Sequence, residues 1–196
     1  MTGAEQIITI GLPYCEGLSR HHHEVRRGIS DKAQEGGSIV AEKRSKEAFK
    51  EQARKKAYEY ELQFHGCSQA VVRTFQDLLD MEDELLFKAA GPLCAGLGTS
   101  RTCGALAGGV MVLGVKHGRA RIEDGIEGLF PGMLAAQNLV RRFEQEFGTT
   151  ACSEISKIDW TDFEAVMKAL SDPEFVQRCA QVVGKTAEMV AEIIDE

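Results

Sequence analysis

The chain has 196 residues, 43% of them hydrophobic and 7% aromatic, with a formal net charge of −7. This length suits one domain with an N-terminal extension, and the apolar fraction can form a core without disulfides to compensate for small size. Nucleic acid is an unfavoured partner. Eleven Lys and Arg lie between Arg20 and Lys56 against six acids, but the stretch has no aromatic interleaving and no RNA-binding signature, so it reads as a solvated leader. Met1-Thr2-Gly3-Ala4-Glu5 does not open a signal peptide. The longest apolar run, Cys103 to Val115, is shorter than the ~20 residues of a membrane span. A soluble, cytoplasmic protein without a membrane span is expected, and in that reducing compartment the six cysteines read as thiols, ligands or redox centres rather than structural disulfides.

Residues 1–42 carry scattered glycines and little periodicity, and read as a largely irregular extension preceding a helical domain over 43–196. A helix starts at Ser45-Lys46-Glu47-Ala48, with Phe49, Ala53, Ala57, Tyr60 and Phe64 on its apolar face. Gly66 breaks it, and Cys67-Ser68-Gln69-Ala70 opens a second helix that buries Ala70, Val71, Phe75, Leu78 and Leu79. Glu84 to Ala90 forms a short helix stopped by Gly91-Pro92, and a glycine-rich loop follows to Thr102. From Cys103 an apolar helix runs to about Lys116. It contains Gly104, Gly108, Gly109 and Gly114, each costing about 1 kcal/mol against alanine. That cost implies that a neighbouring helix or a cofactor comes close to the backbone, with Gly104 and Gly108 as the cofactor-facing candidates.

A helix from near Pro131 carries Met133, Leu134, Leu139, Val140, Phe143 and Phe147 and stops at Gly148. A short helix then holds Cys152, with Thr149-Thr150 as its cap. Thr161-x-x-Glu164 and Ser171-x-x-Glu174 read as capping boxes, the second opening a final helix through Phe175, Cys179, Val183, Ala187, Val190 and Ile194. Only Gln6 to Ile10 alternates like a strand. The fold class expected is all-α, a bundle of five to seven helices.

The cysteine spacings exclude several chemistries. No Cys-x-x-Cys occurs, which removes the usual zinc-ribbon, ferredoxin and thioredoxin signals and covalent c-type haem. No nucleophile elbow, phosphate loop or dinucleotide fingerprint occurs either. Spacing alone leaves buried, inert thiols as a full alternative. Three pieces together do more. They are Phe64-His65-Gly66-Cys67-Ser68-Gln69-Ala70-Val71, Thr102-Cys103-Gly104-Ala105-Leu106-Ala107-Gly108 with Val112-Leu113-Gly114 behind it, and Phe147-Gly148 followed by Cys152 and a late Cys179.

This set resembles the family of redox-active proteins defined by four cysteines and a Cys-Gly-Ala-x-x-Gly motif, to which the split-Soret cytochromes are related. The resemblance covers roughly residues 45–194 and places the family's cysteines at Cys67, Cys103, Cys152 and Cys179. It implies an iron–sulfur cluster held by those four and electron transfer to a redox partner protein. The chain departs from the family pattern in its long extension, its additional Cys15 and Cys94, and its lack of a haem motif. Cys94 stands where relatives carry glycine or an aromatic residue, which puts an altered ligand set in question.

Four thiolates brought together from separate helices repel one another unless a cation compensates them, and a cluster or zinc would do so. A thiol–disulfide oxidoreductase is the competing reading, with Cys67 or Cys103 as a low-pKa thiol at a helix start beside His65 or Arg101. A structural zinc module is the third, and purely structural thiols with no cofactor remain open. Cys94 and His65 are candidate extra ligands. His21-His22-His23 reads as a solvated tract and His117 as a helix-end charge. The many small apolar residues also suit a homodimer.

Overall fold

The computed structural model describes residues 46–194. The extension at 1–42, Cys15, the His21–His23 tract and the Gln6–Ile10 strand pattern lie outside the described residues. Eight α-helices occur among those described: α1 Lys46–Phe64, α2 Cys67–Leu78, α3 Glu84–Ala90, α4 Gly104–His117, α5 Phe130–Phe147, α6 Cys152–Ser156, α7 Phe163–Leu170 and α8 Pro173–Ile193. The all-α class expected from the periodicity holds. The count exceeds five to seven because α3, α6 and α7 each form a separate short helix.

The long α1 and α8 pack along each other. Ala53 and Ala57 of α1 are fully buried, and a Cβ at Gly184 of α8 would stand 2.9 Å from the Arg54 carbonyl oxygen. Small side chains on both helices thus bring the backbones close. Helix α4 lies in the centre, against α2, α5 and α8. It buries Ala105, Leu106, Val112 and Leu113, which meet Val71 and Phe75 of α2, Leu139 and Phe143 of α5, and Val183, Ala187 and Val190 of α8 in one core. At the rim, Glu192 of α8 accepts hydrogen bonds from Lys50 of α1 at 3.0 Å and Arg142 of α5 at 2.8 Å.

Several expectations are corrected in detail. Phe64 is 37% exposed, and the buried position on the last turn of α1 belongs to Glu61. Leu79 lies beyond the end of α2 and is exposed, as are Met133 and Leu134 in the first turn of α5. These two join Ile122, Ile126 and Phe130 in an exposed apolar stretch, because the start of α5 overhangs the core, which the helix first meets at Ala135 and enters fully at Leu139 and Phe143. The capping boxes are displaced by one residue. Asp162 caps α7 by accepting from the Ala165 N–H, and Asp172 caps α8 by accepting from the Glu174 N–H. A carboxylate at the N-cap bonds these orphan N–H groups and opposes the helix dipole. Ala151, not a threonine, occupies the N-cap of α6.

The glycines of α4 separate into two kinds. A Cβ at Gly108 would stand 2.5 Å from the Ser68 carbonyl oxygen, and one at Gly109 would press on Leu139 and Val190, whereas Gly114 faces open space. We therefore expect Gly108→Ala to destabilise the fold by several kcal/mol, because neither backbone can yield, and Gly114→Ala to stabilise it by about 1 kcal/mol through helix propensity. Urea unfolding of the two variants checks both signs.

Candidate functional site

Helices α2 and α4 begin side by side. Cys67 is the first residue of α2 and Cys103 is the N-cap of α4. A Cβ on Gly104 would overlap the Cys67 sulfur and stand 2.8 Å from the Leu93 carbonyl oxygen, so only glycine permits this approach. After α3 the chain makes a 3₁₀ turn over Gly91–Leu93 and delivers Cys94 to the same place. It then passes through left-handed residues at Ala95, Gly96, Leu97, Gly98 and Ser100. Gly96 abuts Cys152, with its ideal Cβ position 2.7 Å from the Cys152 Cβ.

Two backbone hydrogen bonds fix Cys152 beside Cys103. The Cys103 N–H donates to the Thr150 carbonyl at 2.8 Å, and the Cys152 N–H donates to the Arg101 carbonyl at 2.6 Å. Helix α8 supplies Cys179 from the other side. The result is an enclosed cavity of about 170 Å³ lined by Cys67, Cys94, Cys103, Cys152 and Cys179, with Glu61, His65, Trp160 and Phe175. All four motif cysteines and Cys94 thus share one cavity. Gly104 adjoins it, while Gly108 sits one turn away against the Ser68 backbone. His65 is on the rim, exposed and in a left-handed conformation.

The electrostatics differ from those expected at helix starts. Burial drives the Cys103 thiol up to about 12, against the smaller opposing effect of the Leu106 and Ala105 N–H groups aimed at its sulfur. Cys67 is also raised, first because its S–H donates to Cys94 and then by burial. The low-pKa thiol is Cys94. It accepts from Cys67, is bonded to the Ser68 side chain with Oγ 2.9 Å away, and accepts from the Ser68 and Gln69 N–H groups, so its pKa falls well below the usual thiol value despite burial. The N-terminus of α2 does lower a thiol pKa, but it is the thiol docked onto the first turn rather than the one within it. Cys179 is pushed up to about 12 by burial and then by Glu61, Cys152 and Cys103. Burial also raises Cys152, opposed by Ser156 and Trp160.

Glu61 was not singled out in the sequence, where it stands between Tyr60 and Leu62 near the end of α1. Its side chain is buried at the cavity, its Oε2 has no hydrogen-bond partner, and its pKa rises to about 8 from burial and then the nearby Cys94 charge. The cavity lining contains five thiols and a carboxylate but no Lys or Arg. In this arrangement no three His, Cys, Asp or Glu side chains among the described residues lie close enough to share one metal ion. A wider groove of about 1280 Å³ lies outside and shares Cys179, Phe175, Ile155, Ser156 and Val182 with the cavity.

An acid whose folded pKa is raised contributes stability that is full below its unfolded value and is lost as pH rises through its folded value. For Glu61 that window runs from the ordinary 4.5 to about 8. In the metal-free protein, Glu61→Gln should therefore match the wild type near pH 4.5 and exceed it by a few kcal/mol near pH 8.5, as read from urea midpoints across that range.

Comparison with protein-family models matches residues 65–193 to the family described as "Putative redox-active protein (C_GCAxxG_C_C)". Comparisons with curated proteins and with solved structures give no significant match. The matched segment holds the four motif cysteines and Cys94 but begins after Glu61. The chain belongs to this redox-active family.

Proposed function

We propose that the protein is an electron carrier whose Cys67, Cys103, Cys152 and Cys179 hold an iron–sulfur cluster. One observation carries this reading: the four motif cysteines, from four separate parts of the chain, face a single cavity together with Cys94 and a carboxylate, and no Lys or Arg is in its lining. The five thiols and Glu61 repel one another when ionised, and the four motif cysteines are held in the protonated, inert form, their pKa values all raised. They become a strong soft-ligand set once a cation compensates them. A single zinc ion needs three or four donors about 2.0–2.3 Å from one point. No such group exists among the described residues in this arrangement, so a zinc ion or a cluster alike would require the cavity side chains to draw together. When bound, the cluster would supply one-electron transfer.

The chain's own residues provide the surroundings. Gly104 leaves room beside Cys67, the Ala105 and Leu106 N–H groups point to the Cys103 sulfur, and Trp160 and Phe175 shield the cavity with apolar surface. Hydrogen bonds to sulfur and exclusion of water are the levers that set a cluster's potential. Cys179, which lines both the cavity and the outer groove, is the natural contact toward a redox partner protein. The groove carries both charge signs, with Arg54, Lys157 and Arg178 facing Glu51 and Glu188. The exposed stretch from Ile122 to Leu134 supports a homodimer, and light scattering should return twice the chain mass. No helix among the described residues is long and apolar enough to cross a membrane.

Anaerobic purification with iron, sulfide and zinc analysis tests the function. Iron with matching sulfide and a broad visible band is expected, and serine at any of Cys67, Cys103, Cys152 or Cys179 should remove most of the iron. Zinc without colour would make the site structural. A protein that takes up no metal after reconstitution would leave thiol–disulfide chemistry as the function.

A further inference from the structure

Cys94 is not one of the family's four cysteines, yet it sits closer to Cys67 than a bystander would. Ser68, the residue after Cys67, has its Oγ 2.9 Å from the Cys94 sulfur while donating to the Ala90 carbonyl at 2.7 Å. A Cβ placed on Gly104 would meet both the Cys67 sulfur and, at 3.0 Å, the Cys94 Cα. The two residues therefore face each other across the space that the missing side chain leaves. Both are free thiols and both are partly accessible.

We propose that Cys67 and Cys94 form a reversible disulfide that withdraws Cys67 from the cluster site, so that an oxidising thiol pool closes the empty site and a reducing one reopens it. This rests on the cluster reading for its consequence but not for the bond itself. The oxidant is a low-molecular-weight disulfide such as glutathione disulfide. Cys94 sulfur attacks one glutathione sulfur and releases the other glutathione as its thiol. Cys67 sulfur then attacks the Cys94 sulfur of the mixed disulfide and releases the second glutathione. Two protein thiols lose two electrons and two protons to one glutathione disulfide, giving one protein disulfide and two glutathione thiols.

The surroundings suit the change. A disulfide needs the two sulfurs about 2.05 Å apart, so Cys94 must move toward α2. Cys94 has extended backbone at the end of the 3₁₀ turn and is followed by a loop rich in left-handed residues. Cys67, by contrast, is fixed in the first turn of a helix whose Ser68, Ala70 and Val71 are fully buried.

The test uses the full chain, reduced and metal-free, treated with glutathione disulfide and then mapped by peptide mass spectrometry without reduction. A Cys67–Cys94 linked peptide is expected, with the thiol count falling by two. The oxidised protein should take up several-fold less iron and sulfide than the reduced protein, and dithiothreitol should restore uptake. Cys94→Ser and Cys94→Ala should keep full uptake after the same treatment. Linkage of Cys67 to a different cysteine, or Cys94 left carrying glutathione with Cys67 free, would overturn the proposal. If neither reduced wild type nor Cys94→Ser takes up iron, the cluster reading fails on its own, while the peptide map still decides the pairing.

Discussion

The close approach of two helix starts at Gly104 is the constraint on which the site depends. Any side chain there would occupy the place of the Cys67 sulfur and press on the Leu93 carbonyl and the Cys94 backbone. Without it, α2 and α4 lie near enough for Cys67, Cys94 and Cys103 to share one small cavity, and the Cys103–Thr150 and Cys152–Arg101 backbone bonds then bring in Cys152. The same close packing continues one turn along α4, where Gly108 rests on the Ser68 carbonyl. The glycines thus serve packing and site at once. Their cost in helix propensity is accepted at positions where the core of α2, α4 and α8 resupplies stability through fully buried Val71, Phe75, Leu113 and Val190.

The cavity gathers groups that oppose one another when ionised. Glu61 raises Cys67, Cys103 and Cys179, and Cys94 in turn raises Glu61. Burial of like-charged acids is expensive unless they stay neutral or acquire a counter-charge. Helix N-termini supply part of that counter-charge at Cys94 and Cys103, yet at Cys103 burial still wins. A site so poor in positive charge keeps most of its thiols protonated for as long as no counter-charge reaches them.

The helices were readable because α1, α2, α5 and α8 repeat apolar residues at three- and four-residue steps, and Gly66, Gly118 and Gly148 stop them where the φ/ψ or packing requires. The convergence of the four motif cysteines was expected only through the family resemblance; spacing could not give it, since it depends on contacts far apart in sequence, such as Thr150 with Cys103. Glu61 was hidden because a glutamate near a helix end ordinarily faces water, and only the packing of α1 over the cavity turns it inward. The caps at Asp162 and Asp172 were missed because Thr161 and Ser171 offered an equally good capping box one residue earlier, with Glu at the right distance. Met133 and Leu134 have the right spacing for a core stripe, and nothing local reveals that the first turns of α5 overhang it.

Cys94 shows how one residue in a loop can set the chemistry of a site whose scaffold does not depend on it. The loop from Gly91 to Arg101 would run past the start of α2 whatever residue stood at position 94, because its course is fixed by the 3₁₀ turn, Gly96 and the Arg101–Cys152 bond. Placing a thiol there puts sulfur against Ser68, the α2 N–H groups and Cys67 together. The N-terminus that would otherwise favour charge on Cys67 is then occupied by Cys94, and Cys67 becomes the hydrogen-bond donor of the pair. A fifth cysteine therefore does more than add a thiol to the cavity: it takes over the most acidic thiol position and ties its neighbour's protonation to its own.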